Sequence, residues 1–187
     1  ITCSSLYYTM PCINVVDFTA GNGRCTMNPE AMQFFSQMDP NVDVAVIVVA
    51  GGYRMGKSYL LNKLINSPHP DDGFVVGSTV QACTKGIWMH TTPIDKGIGE
   101  NGRPYETYVL DTEGTGALDS DNSHDVRVFA IALLLASYFI YNSRGSIDEP
   151  ALSNLRVVLG VSKLVKVSSK DDNPFAAVLG DDDVSVR

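Results

Sequence analysis

Two hydrophobic patterns alternate along this chain and predict a layered α/β protein. Short runs of β-branched residues are typical of buried strands, whereas apolar residues three and four positions apart are typical of helices. The predicted strands are 44–50, 87–92, 106–110 and 138–141. The predicted helices are 29–38, which follows the N-cap residue Asn28, and 58–65, 126–135 and 151–159. Strands that alternate with helices and are largely apolar on both faces indicate a mostly parallel central sheet flanked by helices.

The segments between these elements are polar and rich in glycine. Residues 66–86 are predicted to form a loop, residues 96–104 a turn, and residues 170–173 an acidic stretch. The longest apolar run, 128–141, is shorter than the ~20 residues that cross a membrane, so we expect it to belong to the core. A chain of 187 residues without an internal repeat is expected to form one domain.

The amino-acid composition mainly excludes certain kinds of partner and site. The formal net charge of −7 disfavours a nucleic-acid partner, which would require a basic face. The cysteines lack the C-x-x-C spacing and the histidines are scattered, so no zinc site is predicted. A disulfide framework is not expected at this length, and reduced thiols indicate a cytoplasmic protein.

The most specific motif lies between the first predicted strand and the helix that follows it. Residues 51–58, here called the phosphate loop, read Gly-Gly-Tyr-Arg-Met-Gly-Lys-Ser and match the pattern G-x-x-x-x-G-K-[ST]. In such a loop, backbone amides and the helix N-terminus surround a phosphate. Lys57 would contact the β- and γ-phosphates, and the Ser58 hydroxyl would bind magnesium. The motif predicts a nucleoside triphosphate site on a three-layer P-loop NTPase fold; an ordinary glycine turn before a helix is the alternative.

Two further segments supply the expected metal and γ-phosphate contacts. Residues 111–114, Asp-Thr-Glu-Gly, follow a predicted strand directly, where Asp111 can support a magnesium ion and the Gly114 amide can approach the γ-phosphate. A D-x-x-G sequence alone is typical of a turn, but its position after a phosphate loop favours the nucleotide role. The polar loop 77–88 contains Thr84, whose hydroxyl is the candidate for closing on magnesium when γ-phosphate is present.

Taken together, these segments resemble the GTPase domain of guanylate-binding proteins, large GTPases of the dynamin superfamily. The similar segments are 22–24, 28–31, 52–64, 77–81, 84–89, 110–114 and 141–143. The resemblance extends over residues 12–160, and the more distant atlastins fit the loop around Thr84 less well. It implies a Mg²⁺-dependent enzyme that hydrolyses GTP to GDP, and in some members onward to GMP. It also implies a homodimer formed through the GTPase faces.

The resemblance also implies roles for individual residues. Arg54 corresponds to an arginine finger supplied from within the phosphate loop, and an ordinary surface ion pair is the alternative for this side chain. Thr84 corresponds to the magnesium-binding threonine, and Glu113 to the glutamate that helps to organise the attacking water. The candidate catalytic residues are Arg54, Lys57 and Glu113, and the candidate metal-site residues are Ser58, Thr84 and Asp111. The candidate nucleotide-binding residues are Gly51, Gly52, Tyr53, Arg54, Met55, Gly56, Lys57, Ser58, Tyr59, Gly114 and Asp181.

Two positions depart from the family pattern. Ala82 replaces a serine of the water network, so slow hydrolysis is expected even where nucleotide binding is intact. Gly180 replaces the arginine of the arginine–aspartate pair that reads guanine, which leaves Asp181 to accept hydrogen bonds from the base. A solvated acidic loop is the alternative for Asp181. Residues 169–172, Ser-Lys-Asp-Asp, are a weaker match to a guanine-binding N/T-K-x-D motif.

These observations lead to one prediction and two alternatives. We predict a magnesium-dependent GTPase in which residues 1–187 form a single GTPase domain, a fragment of a longer chain without the family's helical C-terminal region. The expected partners are a guanine nucleotide and a second copy of the chain. The first alternative is a GTPase-like structural or scaffold module, either nucleotide-binding or nucleotide-free, with weak or no hydrolysis, which Ala82 and Gly180 motivate. The second is an ATP-using P-loop enzyme, which the resemblance disfavours.

Overall fold

The computed structural model describes residues 11–18, 25–66, 72–76, 85–114, 122–143, 145, 152 and 156. These residues form seven strands: β1 (Cys12–Asp17), β2 (Thr26–Met27), β3 (Asp43–Gly51), β4 (Ile87–His90), β5 (Asp95–Ile98), β6 (Pro104–Thr112) and β7 (Tyr138–Asn142). They also form three helices: α1 (Pro29–Ser36), α2 (Lys57–Ile65) and α3 (Asn122–Leu135). Residues 152 and 156 are helical, as predicted, whereas the rest of the predicted helix 151–159 and the acidic stretch 170–173 lie outside the described residues.

All seven strands join one sheet in the order β2-β1-β4-β6-β3-β7, and β5 pairs with β6. The pairings of β3 with β6 and with β7 are parallel, while the other pairings among the described strands are antiparallel. Only turns separate β4 from β5 and β5 from β6, and such short connections cannot make the crossover that parallel neighbours need. The parallel part of the described sheet is therefore the three strands β6-β3-β7, and antiparallel strands extend it on the β6 side.

The predicted turn at 96–104 is wrong over its first three residues and its last one, which belong to strands. Asp95–Ile98 forms β5, which pairs with the start of β6, and the turn is confined to the residues between them. It is closed by the amide of Gly99, which donates to the carbonyl of Arg103 at 2.8 Å. Every residue of β5 is exposed. An edge strand of this kind has no apolar run, so its sequence resembles a loop.

Local sequence explains the ends of the helices. Asn28 caps α1, because its side chain accepts a hydrogen bond from the amide of Glu30 at 2.9 Å, and Pro29 is the first helical residue. Both features were predicted. Helix α3 begins at Asn122, four residues before the predicted start at 126. The prediction missed this first turn because it is polar and carries no apolar periodicity.

The core has one cluster on each face of the sheet. Val48 of β3 packs with α1 and α3 through Ala31 and Ala132, whereas the next residue, Val49, packs with α2 through Leu61. Successive residues of a strand point to opposite faces, so β3 is buried on both. Helices thus cover both faces of the sheet, which confirms the three-layer α/β class. Among the described residues, no helix is both long and apolar enough to cross a membrane.

Candidate nucleotide-binding site

Three strand ends meet at one edge of the sheet. Because β3 and β6 are parallel, the phosphate loop that follows β3 and the segment that follows β6 leave the sheet at the same edge. Strand β4 is antiparallel to β6, so its first residue, Ile87, lies at this edge opposite Thr112. The loop that ends at Gly86 therefore reaches the same place. The topology brings together the phosphate loop, residues 111–114 and the described end of the loop 77–88.

Asn142, at the end of β7, contacts the first residue and the middle of the phosphate loop. Its side-chain amide donates to the carbonyl of Met55 at 2.8 Å. Its backbone lies directly beside Gly51, where an added Cβ would be only 2.1 Å from the Asn142 carbonyl oxygen. Gly51 also has a φ of +147°, which side chains rarely adopt. Asn142 belongs to a segment of family resemblance, but the sequence analysis gave it no role.

The phosphate loop has the backbone conformation of a tight turn into a helix. Arg54 and Gly56 have positive φ values of 58° and 84°, and Gly56 is the N-cap of α2. Gly56 has no side chain to accept from the first helical amides, and no side chain of the described residues caps them in its place. Those amides and the partial positive charge of the helix N-terminus therefore favour an anion at this point.

The Lys57 side chain is held within the loop, and the residue is only 6% exposed. Its ammonium donates to the carbonyl of Gly52 at 3.2 Å. Burial lowers the pKa of Lys57, while the nearby carboxylates of Asp111 and Glu113 oppose that shift. Burial is the larger effect because the ammonium has lost most of its hydration. A phosphate oxygen would supply the charge partner and hydrogen-bond acceptors that water no longer provides.

Ser58 and Asp111 form the shortest hydrogen bond among the described residues of the site. The Ser58 hydroxyl donates to Oδ2 of Asp111 at 2.5 Å, and Asp111 is fully buried. The next residue is anchored as well, because the Thr112 hydroxyl donates to the carbonyl of Val49 at 2.9 Å. The first anchor ties the end of β6 to the last residue of the phosphate loop, and the second ties it to β3 just before the loop.

These oxygen donors fit Mg²⁺. A hydroxyl and a carboxylate are hard ligands, and Mg²⁺ in nucleotide sites takes few protein ligands because phosphates and water complete its octahedron. Within the described part of the chain, no group of three or more histidines, cysteines and acidic residues could hold a metal ion alone. A metal here would thus depend on the nucleotide for most of its ligands.

Gly114 allows the segment after β6 to approach the phosphate loop. A Cβ at this position would lie 2.5 Å from the Tyr53 Cα and 2.9 Å from the Lys57 ammonium. No side chain other than hydrogen fits between these atoms. Gly114 is therefore held next to two of the residues that the sequence analysis assigned to nucleotide binding.

Glu113 is bound to both neighbouring segments. Its Oε2 accepts from the amide of Gly86 at 3.1 Å and lies 3.2 Å from Nε2 of His124, the third residue of α3. Its own amide donates to the carbonyl of Gly86 at 2.9 Å. The sequence analysis described His124 only as one of several scattered histidines. Nothing in its spacing could have predicted this contact.

Several predicted site residues stand at the surface or outside the described residues. Arg54, Met55 and Tyr59 are exposed. Among the described residues, no carboxylate forms an ion pair with Arg54. Thr84 and Asp181 lie outside the described residues, as do the departures at Ala82 and Gly180 and the weaker guanine motif at 169–172.

Comparison with known proteins identifies the family. Residues 22–182 match the family model described as guanylate-binding protein, N-terminal domain. The chain belongs to the guanylate-binding protein family. This confirms the resemblance that the sequence motifs indicated.

Individual guanylate-binding proteins are similar over most of this chain. Guanylate-binding protein 1 of Chlorocebus aethiops is 41% identical over 152 residues, which cover 81% of this chain and 24% of that relative. Guanylate-binding protein 2 of Homo sapiens is 40% identical over 163 residues, covering 86% and 25%. Guanylate-binding protein 1 of Mus musculus is 42% identical over 147 residues, covering 78% and 23%. The chain therefore spans about a quarter of the length of the curated relatives that it matches.

Proposed function

We propose that this chain is the GTPase domain of a guanylate-binding protein and hydrolyses GTP to GDP with Mg²⁺. One observation carries the proposal: the buried, poorly solvated Lys57 faces the side-chain-free Gly114 across the phosphate loop, at the edge where the Ser58–Asp111 pair lies. A lysine in this position, beside helix amides that no side chain caps, favours a polyanionic ligand. The family match selects a guanine nucleotide as that ligand.

In this proposal, residues 51–59 and Gly114 bind the phosphates through backbone amides, and Lys57 contributes the positive charge. The residues that would hold Mg²⁺ are Ser58 and Thr84, with Asp111 acting through water. When bound, Mg²⁺ would neutralise negative charge that develops during phosphoryl transfer. Gly86 donates a hydrogen bond to Glu113. Thr84 precedes Gly86 by only two residues, which supports the assignment of Thr84 to this site.

The proposed chemical roles belong to Glu113 and Arg54. Glu113 orients the attacking water through its carboxylate, and Arg54 stabilises negative charge on the transferred phosphoryl group. The exposed position of Arg54 on the phosphate loop supports this role, because the guanidinium can turn towards a bound nucleotide. We propose that a homodimer formed through the GTPase faces holds Arg54 in that orientation, as the resemblance implies.

Turnover is expected to be slow, because Ala82 offers no hydroxyl to the water network. Some members of the family also hydrolyse GDP to GMP. We include this second step only on the basis of that resemblance. The direct test is phosphate release from GTP by the wild-type chain with Mg²⁺, followed over many turnovers. Lys57→Ala should release no phosphate above background. Competition by ATP and GTP for a fluorescent nucleotide would then show which base is preferred.

Recognition of guanine is assigned to Asp181 in this proposal. A carboxylate accepts hydrogen bonds from N1 and N2 of guanine, which adenine cannot donate. Asp181→Asn should therefore weaken GTP binding and favour xanthosine triphosphate. The corresponding change in the weaker motif, Asp172→Asn, serves as the control and should leave the base preference unaltered.

A scaffold module with weak or no hydrolysis is the second candidate function. Ala82 and Gly180 favour it, because each replaces a residue on which the family relies for turnover or base recognition. The scaffold predicts triphosphate binding without sustained phosphate release. If calorimetry detects binding while release stays at background, the scaffold function replaces the enzyme.

A further inference from the structure

We propose that His124 is a positioning residue that holds the Glu113 carboxylate in the orientation needed for hydrolysis. The inference rests on the proposed function, because it concerns the glutamate that would orient the attacking water. It goes beyond that function in assigning a task to a residue of α3 that no motif includes. The observation behind it is the 3.2 Å contact between His124 Nε2 and Glu113 Oε2.

The contact has a defined donor and a defined acceptor. A carboxylate oxygen accepts hydrogen bonds, so Nε2 of His124 donates and Oε2 of Glu113 accepts. The amide of Gly86 donates to the same oxygen at 3.1 Å. Two donors from different segments therefore converge on Oε2. This arrangement fixes the direction of the carboxylate, whereas one donor would leave the side chain free to swing about a single bond.

The Gly86 donor is itself immobilised. Gly86 has a φ of +77°, and an added Cβ would lie 2.1 Å from the carbonyl oxygen of Val16. It sits against the irregularity in β1 between Asn14 and Val16. Gly86 and Glu113 also exchange a second hydrogen bond, from the Glu113 amide to the Gly86 carbonyl. The backbone of Glu113 is thus fixed independently of His124, which leaves the side-chain direction as the feature that His124 controls.

His124 also makes an aromatic contact, with Phe18. The Phe18 ring meets the imidazole edge-on, with ring centroids 5.4 Å apart. The side chains of His124 and Glu113 are 22% and 14% exposed, so the hydrogen bond between them is largely shielded from water. Shielding strengthens such a bond and makes its loss costly.

The decisive test is a double-mutant cycle in GTP hydrolysis. In the wild-type background, His124→Ala should lower kcat about tenfold, the size expected for one lost hydrogen bond to a charged group. KM should stay within about twofold, because no phosphate contact is removed. In a Glu113→Gln background the same change should have no further effect, since the carboxylate that His124 orients is gone. Val126→Ala, an exposed position of the same helix, is the control and should behave as wild type.

Rescue by a conservative variant separates positioning from a packing role. The amide of His124→Gln can still donate to Glu113 but cannot reproduce the imidazole contact with Phe18. Its kcat should return to within about threefold of wild type if the hydrogen bond is what matters. Equal fold losses for His124→Ala in the wild-type and Glu113→Gln backgrounds would overturn the proposal. So would a His124→Gln variant as slow as His124→Ala.

A second readout requires neither nucleotide nor turnover. The side-chain ¹³C resonance of the Glu113 carboxylate, assigned by its loss in Glu113→Gln, reports the hydrogen bonds that this group accepts. It should move in His124→Ala and return towards the wild-type position in His124→Gln. A resonance unchanged in His124→Ala overturns the positioning role. If the resonance responds while wild-type protein releases no phosphate from GTP, the proposed enzyme function fails and the orientation of Glu113 by His124 stands.

Discussion

Gly114 and Tyr53 approach so closely that a single methyl group at position 114 would overlap the phosphate loop. The added Cβ would lie 2.5 Å from the Tyr53 Cα and 2.9 Å from its amide nitrogen. The two residues belong to segments that leave β6 and β3 at the same sheet edge. The contact therefore couples the segment that holds Glu113 to the loop that would bind phosphate.

This contact predicts that Gly114→Ala weakens triphosphate binding by at least about tenfold, because one of the two segments must shift. Titration calorimetry with a non-hydrolysable GTP analogue measures the effect. Gly99→Ala is the matched control, since the atom nearest to its Cβ, 3.0 Å away, belongs to the flexible side chain of Asn101. Wild-type affinity in Gly114→Ala would show that the segments need not be in contact.

Lys57 is predicted to lower the folding stability of the nucleotide-free protein while it strengthens triphosphate binding. Burial lowers its folded-state pKa below the ordinary value of 10.5, so its charge destabilises the nucleotide-free protein at neutral pH. The unfolded state binds more protons between the two values, so this penalty disappears as pH rises towards 10.5. Lys57→Met should raise Tm at pH 7, with a smaller rise at pH 10. It should also weaken triphosphate binding at least about 100-fold. A lower Tm at pH 7 would contradict the burial argument.

Arg54 should affect turnover rather than binding. Arg54→Ala is expected to lower kcat about 10³-fold, the smaller end of the effect of an arginine finger, while the affinity for GTP changes less than about threefold. Arg54→Lys should remain slow, because an ammonium cannot make the forked contacts of a guanidinium. Arg103→Ala, which removes an exposed ion pair with Asp43, is the control for losing one positive charge. Equal kcat values for Arg54→Ala and wild type would exclude the finger.

Cys12 is predicted to react much more slowly with alkylating reagents than the exposed Cys25. Burial, reinforced by the carboxylate of Asp111, raises the pKa of Cys12 to about 12, so almost no thiolate is present at pH 8. In a background that carries Cys3→Ser and Cys83→Ser, iodoacetamide should modify Cys12 at least about 100-fold more slowly than Cys25. Mass spectrometry of tryptic peptides over time measures both rates. Comparable rates would mean that β1 opens readily.

The sequence predicted the parts of the site that are local in the chain. The phosphate loop and residues 111–114 each lie within a few residues of a strong strand, so their placement at one sheet edge follows from the parallel order of β3 and β6. Long buried strands and the capped start of α1 were equally visible, because burial and capping leave a pattern in neighbouring residues.

The contacts that the sequence analysis missed join distant segments. Asn142 bonds Met55 across 87 positions, and His124 reaches Glu113 from another element, so neither leaves a local signal. Strand β5 was not predicted for a different reason. It pairs with β6 through backbone hydrogen bonds, and its exposed side chains carry no periodic pattern. These contacts and strand β5 depend on the order of the strands in the sheet, which the sequence alone does not give.

The turn between β5 and β6 lies at the far end of a nine-residue strand from Glu113, a separation of roughly 30 Å. Gly102 at its tip has open space around it. A fluorescent protein or an affinity tag inserted there would stand well away from the phosphate loop. This hairpin is thus a practical attachment point for reporters that follow the protein while its chemistry proceeds undisturbed.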